Sequence, residues 1–340
     1  MNRLIHFIQC AIVGLALSGC QNQQPRYTSI NGTALGTTYR LVYQIPANAP
    51  ASFSDSVTQQ VNRCYTLING SLSIYNNRSL LSAINRNETQ NVDSLFTLVF
   101  NKSVEINKLT KGAFDIAAAP LFNAWGFGLG QRQHVTQETI DSLMLFTGMD
   151  KIVLHDGRIQ KKDPRVTLNL NAIAKGFTSD YIGSTLEALG ISHYLIEIGG
   201  EIACKGVNPS GGEWRVGIDR PIDGNLDPGK DLQAIVGLHN QALATSGNYR
   251  NYYIENGRKI AHTINPATGY PVTHSLLSVT VIAPDCMTAD AYATAFMTMG
   301  KDATLSFLAN HPELGVLLIC DDFDEKYTVI TAGPIHLLKK

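Results

Sequence analysis

The chain has 340 residues, 44% of them hydrophobic and 16% charged, with 27 basic side chains against 28 acidic ones. That length suffices for one large domain or two modest ones, and the composition excludes a disordered chain. A formal charge of −1 offers no basic excess to a nucleic-acid partner. A mean hydropathy of −0.02 excludes a multi-span membrane protein.

The N-terminus reads as an address. Residues 1–20 are MNRLIHFIQCAIVGLALSGC, with Arg3 the only formal charge and a mostly apolar run over 4–17. This is a secretory signal, too short for a comfortable membrane span. Its end, Leu17-Ser18-Gly19-Cys20, resembles a bacterial lipobox, in which cleavage before the cysteine leaves a thiol that carries lipid. The alternative is a secreted protein with an ordinary cleavage site. The expected organisation is a lipoprotein signal peptide over 1–19, a polar tether over 20–29 and one catalytic domain over 30–340. Loss of 1–19 removes one arginine and no acid, so the mature charge is 26 − 28 = −2. Cys10 goes with the leader. Cys64, Cys204, Cys286 and Cys320 are scattered without a C-x-x-C pair, which argues against structural zinc and for buried free thiols.

Apolar residues at 57, 61, 64, 65 and 68 have helical spacing, with Asn69-Gly70 as the stop. A helix is predicted over 92–111, with Asp93 near its start and Gly112 beyond its end, and another over 136–145, capped by Thr136. His155-Asp156-Gly157 marks a hairpin between 152–154 and 158–160. Residues 166–171 (VTLNLN) alternate strictly and read as a strand leading into a helix over 172–189 that Gly190 stops. Strands follow at 194–198, 214–218, 235–238, 251–254, 259–264, 277–282, 315–319 and 327–330, with a tight turn at 255–258 and a helix over 286–299. Hairpin-linked strands with intervening helices, without regular βαβ alternation, predict an α+β fold with mostly antiparallel sheet.

No P-loop, H-E-x-x-H or G-x-S-x-G motif occurs. Gly126-Phe-Gly128-Leu-Gly130 has the wrong spacing and no preceding strand for a dinucleotide fingerprint. Three segments do bear chemistry. Asp290 and Thr294 are four apart on the 286–299 helix, one above the other, as hard oxygen ligands suited to Mg²⁺; such a pair is commonly just solvated. Around Ala172, where strand meets helix, uncommitted backbone groups and Lys175 suit a phosphate; an ordinary capped helix is the other reading. His262 stands at a strand end, where a lone histidine is usually structural, but beside the turn Asn265-Pro-Ala-Thr-Gly269, where catalytic groups are often displayed.

Taken in order, these segments resemble the ApbE family of bacterial FAD:protein FMN transferases. The resemblance runs from about Gly32 to Met299 through Ala34-Leu-Gly-Thr-Thr-Tyr39, Ser73-Ile-Tyr75 with Ser79-Leu-Leu-Ser-Ala-Ile-Asn85, and Gly112-Ala-Phe-Asp-Ile-Ala-Ala-Ala-Pro-Leu121 with Trp125-Gly-Phe-Gly128. It continues through Asn171-Ala-Ile-Ala-Lys-Gly176, Glu197-Ile-Gly-Gly-Glu201, Trp214-Arg-Val-Gly-Ile218 and Ala244-Thr-Ser-Gly-Asn-Tyr-Arg250. It ends with His262-Thr-Ile-Asn-Pro-Ala-Thr-Gly-Tyr-Pro271 and Ala289-Asp-Ala-Tyr-Ala-Thr294. The resemblance implies a T-fold-like core that binds FAD in a cleft. It implies FAD contacts at Leu35, Tyr75, Ala113, Phe114, Asp115, Asn169, Lys175 and Ile264, and Mg²⁺ at Ala172, Asp290 and Thr294. Leu35 replaces the family's usual Met with similar apolar volume. Asn169 replaces its usual Asp, keeping an acceptor and losing a charge.

The implied reaction moves FMN from FAD to a threonine or serine hydroxyl of a target flavoprotein and releases AMP, with His262 as the base. Two other readings keep part of the site: an FAD pyrophosphatase in which water attacks, and a non-enzymatic FAD-binding lipoprotein. The expected location is the periplasmic face of a bacterial membrane, held by lipid on Cys20.

Overall fold

The computed structural model describes residues 25–222, 229–249, 251–255, 257–322 and 327–339. The signal peptide, Cys20 and the first part of the tether lie outside the described residues. Regular structure starts at Tyr27, inside the span read as tether, because β1 (Tyr27–Ala34) pairs with β2 (Thr37–Gln44). Their two-residue turn, Leu35-Gly36, has φ of 53° and 76°, the left-handed pair that matches strand twist.

Helix α1 (Phe53–Leu72) buries the whole predicted stripe but runs through Asn69-Gly70 instead of stopping there. Ser71 and Leu72 are buried in its last turn, and that packing outweighs the roughly 1 kcal/mol a helical glycine costs. After α2 (Leu80–Asn85) comes α3 (Ser94–Leu109), where the Asp93 carboxylate accepts from the Phe96 N–H at 2.8 Å. It closes before Lys111 and Gly112, both at positive φ. Helices α4 (Ala119–Ala124) and α5 (Gln137–Met144, capped by Thr136) precede the predicted hairpin β3 (Ile152–His155) and β4 (Arg158–Lys161).

The strand predicted over 166–171 does not form. Val166, Leu168 and Leu170 are buried in alternation, but their neighbours are not a ladder. The Asn85 side chain accepts from the Leu168 N–H at 2.8 Å and donates to its carbonyl at 2.9 Å. The Asn169 N–H donates to the Ile116 carbonyl at 2.8 Å. Period-two burial reports a two-sided environment, which an asparagine and a loop can supply as well as a sheet. Helix α6 (Ala174–Ala188) therefore starts two residues later than predicted, after a turn at 171–173.

The rest of the chain is β5 (Tyr194–Ile198), β6 (Glu201–Lys205), β7 (Trp214–Asp219), β8 (Leu232–Leu238), β9 (Ala242–Gly247), β10 (Tyr252–Glu255), β11 (Arg258–Ala261) and β12 (Leu276–Ala283). Helices α7 (Cys286–Met299) and α8 (Lys301–Leu308) follow, then β13 (Gly315–Asp321), β14 (Tyr327–Ala332) and β15 (His336–Leu338). β11 ends at Ala261, so 262–264 leaves the predicted strand and turns toward the site.

The strands order as β1-β2-β5-β6-β9-β12-β13-β14 in one sheet and β15-β8-β7 in another. Every described strand pairing is antiparallel, which agrees with the α+β expectation. Helices cover one face of the large sheet; on the other, Ile202, Leu243 and Leu317 pack against Trp214, Val216 and Val236 of the small sheet. Cys64, Cys204, Cys286 and Cys320 are buried free thiols, as expected. Among the described residues no helix is long and apolar enough to cross a membrane.

Candidate active site

The site is built where α6 packs on α7. A Cβ at Gly176 would sit 2.8 Å from Asp290 Cβ and collide with the Cys286 carbonyl, so this approach requires glycine. The Gly176 N–H, in the first turn of α6, donates to Asp290 Oδ2 at 3.0 Å. Asp290 is 3% exposed. Burial raises its carboxyl above the usual range, against the Lys175 charge and the Gly176 amide. One turn on, Thr294 Oγ1 lies 3.4 Å from Ser246 Oγ of β9.

Lys175 Nζ donates to Glu201 Oε1. Burial alone would lower this lysine, but Glu201 and then Asp290 outweigh it and hold it above the ordinary range. Glu201 opens β6 after Gly199 and Gly200, both at positive φ. Among the described residues its second oxygen, Oε2, has no hydrogen-bond partner. Sequence reasoning quoted Glu201 within a motif and gave it no role. The available signal was a carboxylate on a strand whose first four residues are all buried.

His262 enters from the other side. Its Nδ1 lies 3.2 Å from the Asn251 carbonyl oxygen. A carbonyl only accepts, so Nδ1 carries the proton and Nε2 is the unprotonated, basic nitrogen. Burial lowers the imidazole below its ordinary value, and Lys175 adds to this against the Asn251 bond. Phe127, from the glycine-rich segment that is no dinucleotide fingerprint, meets the ring edge-on at 6.2 Å and stacks on Tyr253 at 5.5 Å.

These groups line one cavity of about 1110 Å³. Tyr75, Ala113, Phe114, Asp115, Asn169, Ala172, Lys175, His262, Ile264, Asp290 and Thr294 all reach it. Leu35 is the exception. It sits in the β1–β2 turn at φ 53° and packs between two core clusters.

Several contacts differ in kind from a free side chain. Tyr75 is 68% exposed, and its hydroxyl accepts from Asn171 Nδ2 at 3.0 Å. Phe114 and Ile264 are buried. Asp115 accepts from the Ala117 N–H at 2.7 Å and the Met149 N–H at 3.1 Å, while burial raises its carboxyl to about 6. It pins the loop that presents Ala113. Asn169 accepts from the Asn171 N–H at 2.9 Å, an Asx turn that shapes the entry to α6.

Among the described residues no three His, Cys, Asp or Glu side chains gather as a metal cage. The donors are one carboxylate, one hydroxyl and the Ala172 carbonyl, beside a second carboxylate on Glu201. This set suits Mg²⁺, which keeps waters and binds through one or two carboxylates plus phosphate oxygens. Burial raises both carboxyls, and a cation beside them would favour their ionised forms.

The ApbE family model matches residues 35–318. The chain belongs to the ApbE family. It is 35% identical over 329 residues to the FAD:protein FMN transferase of Haemophilus influenzae, covering 94% of this chain and 93% of that protein. It is 34% identical to the Vibrio cholerae protein of the same name, covering 94% and 96%. Among solved structures, it matches the flavin transferase ApbE from Vibrio cholerae with a TM-score of 0.80, 31% identity and coverage of 91% and 97%. It matches the apo flavinyl transferase ApbE of Pseudomonas stutzeri with a TM-score of 0.81, 27% identity and coverage of 91% and 95%. This ApbE member is an enzyme, and its α+β fold is the one these structures share.

Proposed function

We propose that this enzyme transfers the FMN moiety of FAD to a threonine or serine hydroxyl of a target protein, in a Mg²⁺-dependent reaction that releases AMP. One observation carries the reading: Lys175, the buried Asp290 and Thr294 share a cavity with a histidine whose Nε2 is the unprotonated ring nitrogen. The family's named activity supports the flavin transfer, and this convergence supports the finer chemistry.

Lys175 presents a fixed positive charge to the pyrophosphate, held in place by Glu201. Asp290, Thr294 and the Ala172 carbonyl would hold Mg²⁺, which when bound neutralises negative charge building on the phosphates. Tyr75 offers its exposed ring to the isoalloxazine. His262 Nε2 takes the proton of the acceptor hydroxyl as that oxygen bonds to the FMN-side phosphorus. The bond from that phosphorus to the bridging oxygen breaks, and AMP leaves with its electron pair. A neutral imidazole is the form this step needs, and burial favours it.

Incubation with FAD, Mg²⁺ and candidate exported acceptor proteins tests the reading. The expected result is in-gel flavin fluorescence on the acceptor with one AMP per flavin. Free FMN plus AMP without labelled protein would make the enzyme a pyrophosphatase. The same proposal places it on the periplasmic face of a bacterial membrane, anchored through lipid on Cys20; mass spectrometry of the mature N-terminus tests this, and an unmodified end elsewhere would refute it.

A further inference from the structure

Glu201 Oε2 stands out among buried side-chain oxygens. Of those without a hydrogen-bond partner among the described residues, the others are hydroxyls of Tyr43, Tyr65, Tyr253 and Ser278. Burial raises the Glu201 carboxyl to about 7, and an unpartnered oxygen there costs far more than a hydroxyl once it is ionised. The side chain is also fixed. Glu201 is 3% exposed, pairs with Ile198 in the β5–β6 ladder, and ties Oε1 to Lys175. It lines the cavity with Asp290 and is near enough to feel that carboxylate's charge. Burial holds both carboxyls above their usual range, and one lysine balances only one of them when both are ionised.

What is missing is a hydrogen-bond donor for Oε2 in the cavity that Asp290 and Thr294 also line. A water on Mg²⁺ is such a donor, since the ion keeps several waters and polarises their O–H bonds. Outer acceptors of this kind orient the inner shell and tune affinity. We infer that Glu201 holds the water shell of the divalent cation bound at Asp290, Thr294 and the Ala172 carbonyl, accepting from a cation-bound water through Oε2 while Oε1 positions Lys175. Glu201 is thus a positioning residue shared by cation and lysine. The inference rests on the cation site of the proposed function.

Mn²⁺ titration of the full chain, followed by electron paramagnetic resonance without FAD, reads this directly. Glu201→Gln is expected to weaken Mn²⁺ binding by about 10–100-fold, while FAD affinity measured in EDTA stays within about twofold. Unchanged Mn²⁺ affinity would overturn the inference. So would an equal loss of FAD affinity in EDTA, which would make a flavin hydroxyl the donor. Asp290→Asn separates the two readings: if it leaves Mn²⁺ binding intact, the cation site itself fails. Glu201→Gln keeps an amide oxygen that still accepts from Lys175 but removes the charge beside it, and a second pair keeps the test open should that variant misfold. Lys175→Met retains Mn²⁺ binding, and Lys175→Met with Glu201→Gln loses the same 10–100-fold relative to it.

Discussion

The two sides of the cavity are built differently. At the α6–α7 corner, Glu201 and Asp290 are buried and Lys175 is partly buried, all bonded to one another or to backbone, and set on regular elements by Gly176 and the Gly199-Gly200 turn. At the rim, Tyr75 is exposed, and His262 sits just past the end of β11, held by one carbonyl and an aromatic edge. The corner has the rigidity that charge recognition needs, because a displaced ion in a low-dielectric site is costly. The rim has the access that a protein hydroxyl and a flavin ring need.

Substitutions can break this contrast, and the largest effect belongs to the rim. His262→Ala should lower kcat by about 10²–10⁴-fold with FAD affinity unchanged, read by single-turnover transfer beside FAD titration. Loss of binding alone would make it a contact residue. Because the histidine pKa is lowered, transfer in the wild type should hold its plateau to below about pH 6.5. At the corner, Asp290→Asn keeps the shape but removes the charge, and should cost about 10²–10³-fold in transfer at limiting Mg²⁺, a few kcal/mol at the transition state. Its melting temperature should not fall, since a buried charge is removed.

Gly176→Ala should strike stability before chemistry. Overpacking against α7 costs about 1–3 kcal/mol, visible as a lower melting temperature, whereas the same change at the open Gly70 of α1 should stabilise the helix. The pH dependence of stability sharpens the contrast further. Burial holds Asp115 up at about 6 and Asp180, on the Cys286 and Met287 amides, up at about 7. Both stand above the unfolded aspartate value of about 4. The folded chain therefore keeps protons that the unfolded chain has lost, and stability should fall as pH rises from about 4 to 7. Melting scans across that window check the sign, and Asp180→Asn should flatten the slope. The smallest effect is Tyr75→Ala, which should weaken FAD binding by about 2–10-fold, the worth of one aromatic stack.

Local signals in the sequence set the caps at Asp93 and Thr136, the Asp156-Gly157 hairpin, the stripe of α1 and the Asp290–Thr294 face, because each depends on residues within one turn or one strand of each other. The motif order also placed His262, Lys175 and Asp290 in one site before any fold was known. Tertiary structure alone decided three matters. It made 166–170 a loop bonded to Asn85, since alternation specifies burial and not a partner. It packed Leu35 against two core clusters and not into the cavity lining, since those clusters gather residues far apart in the chain. And it brought Glu201 to Lys175 across 26 residues, since the cost of a buried carboxylate, and so its meaning, exists only once the chain has closed around it.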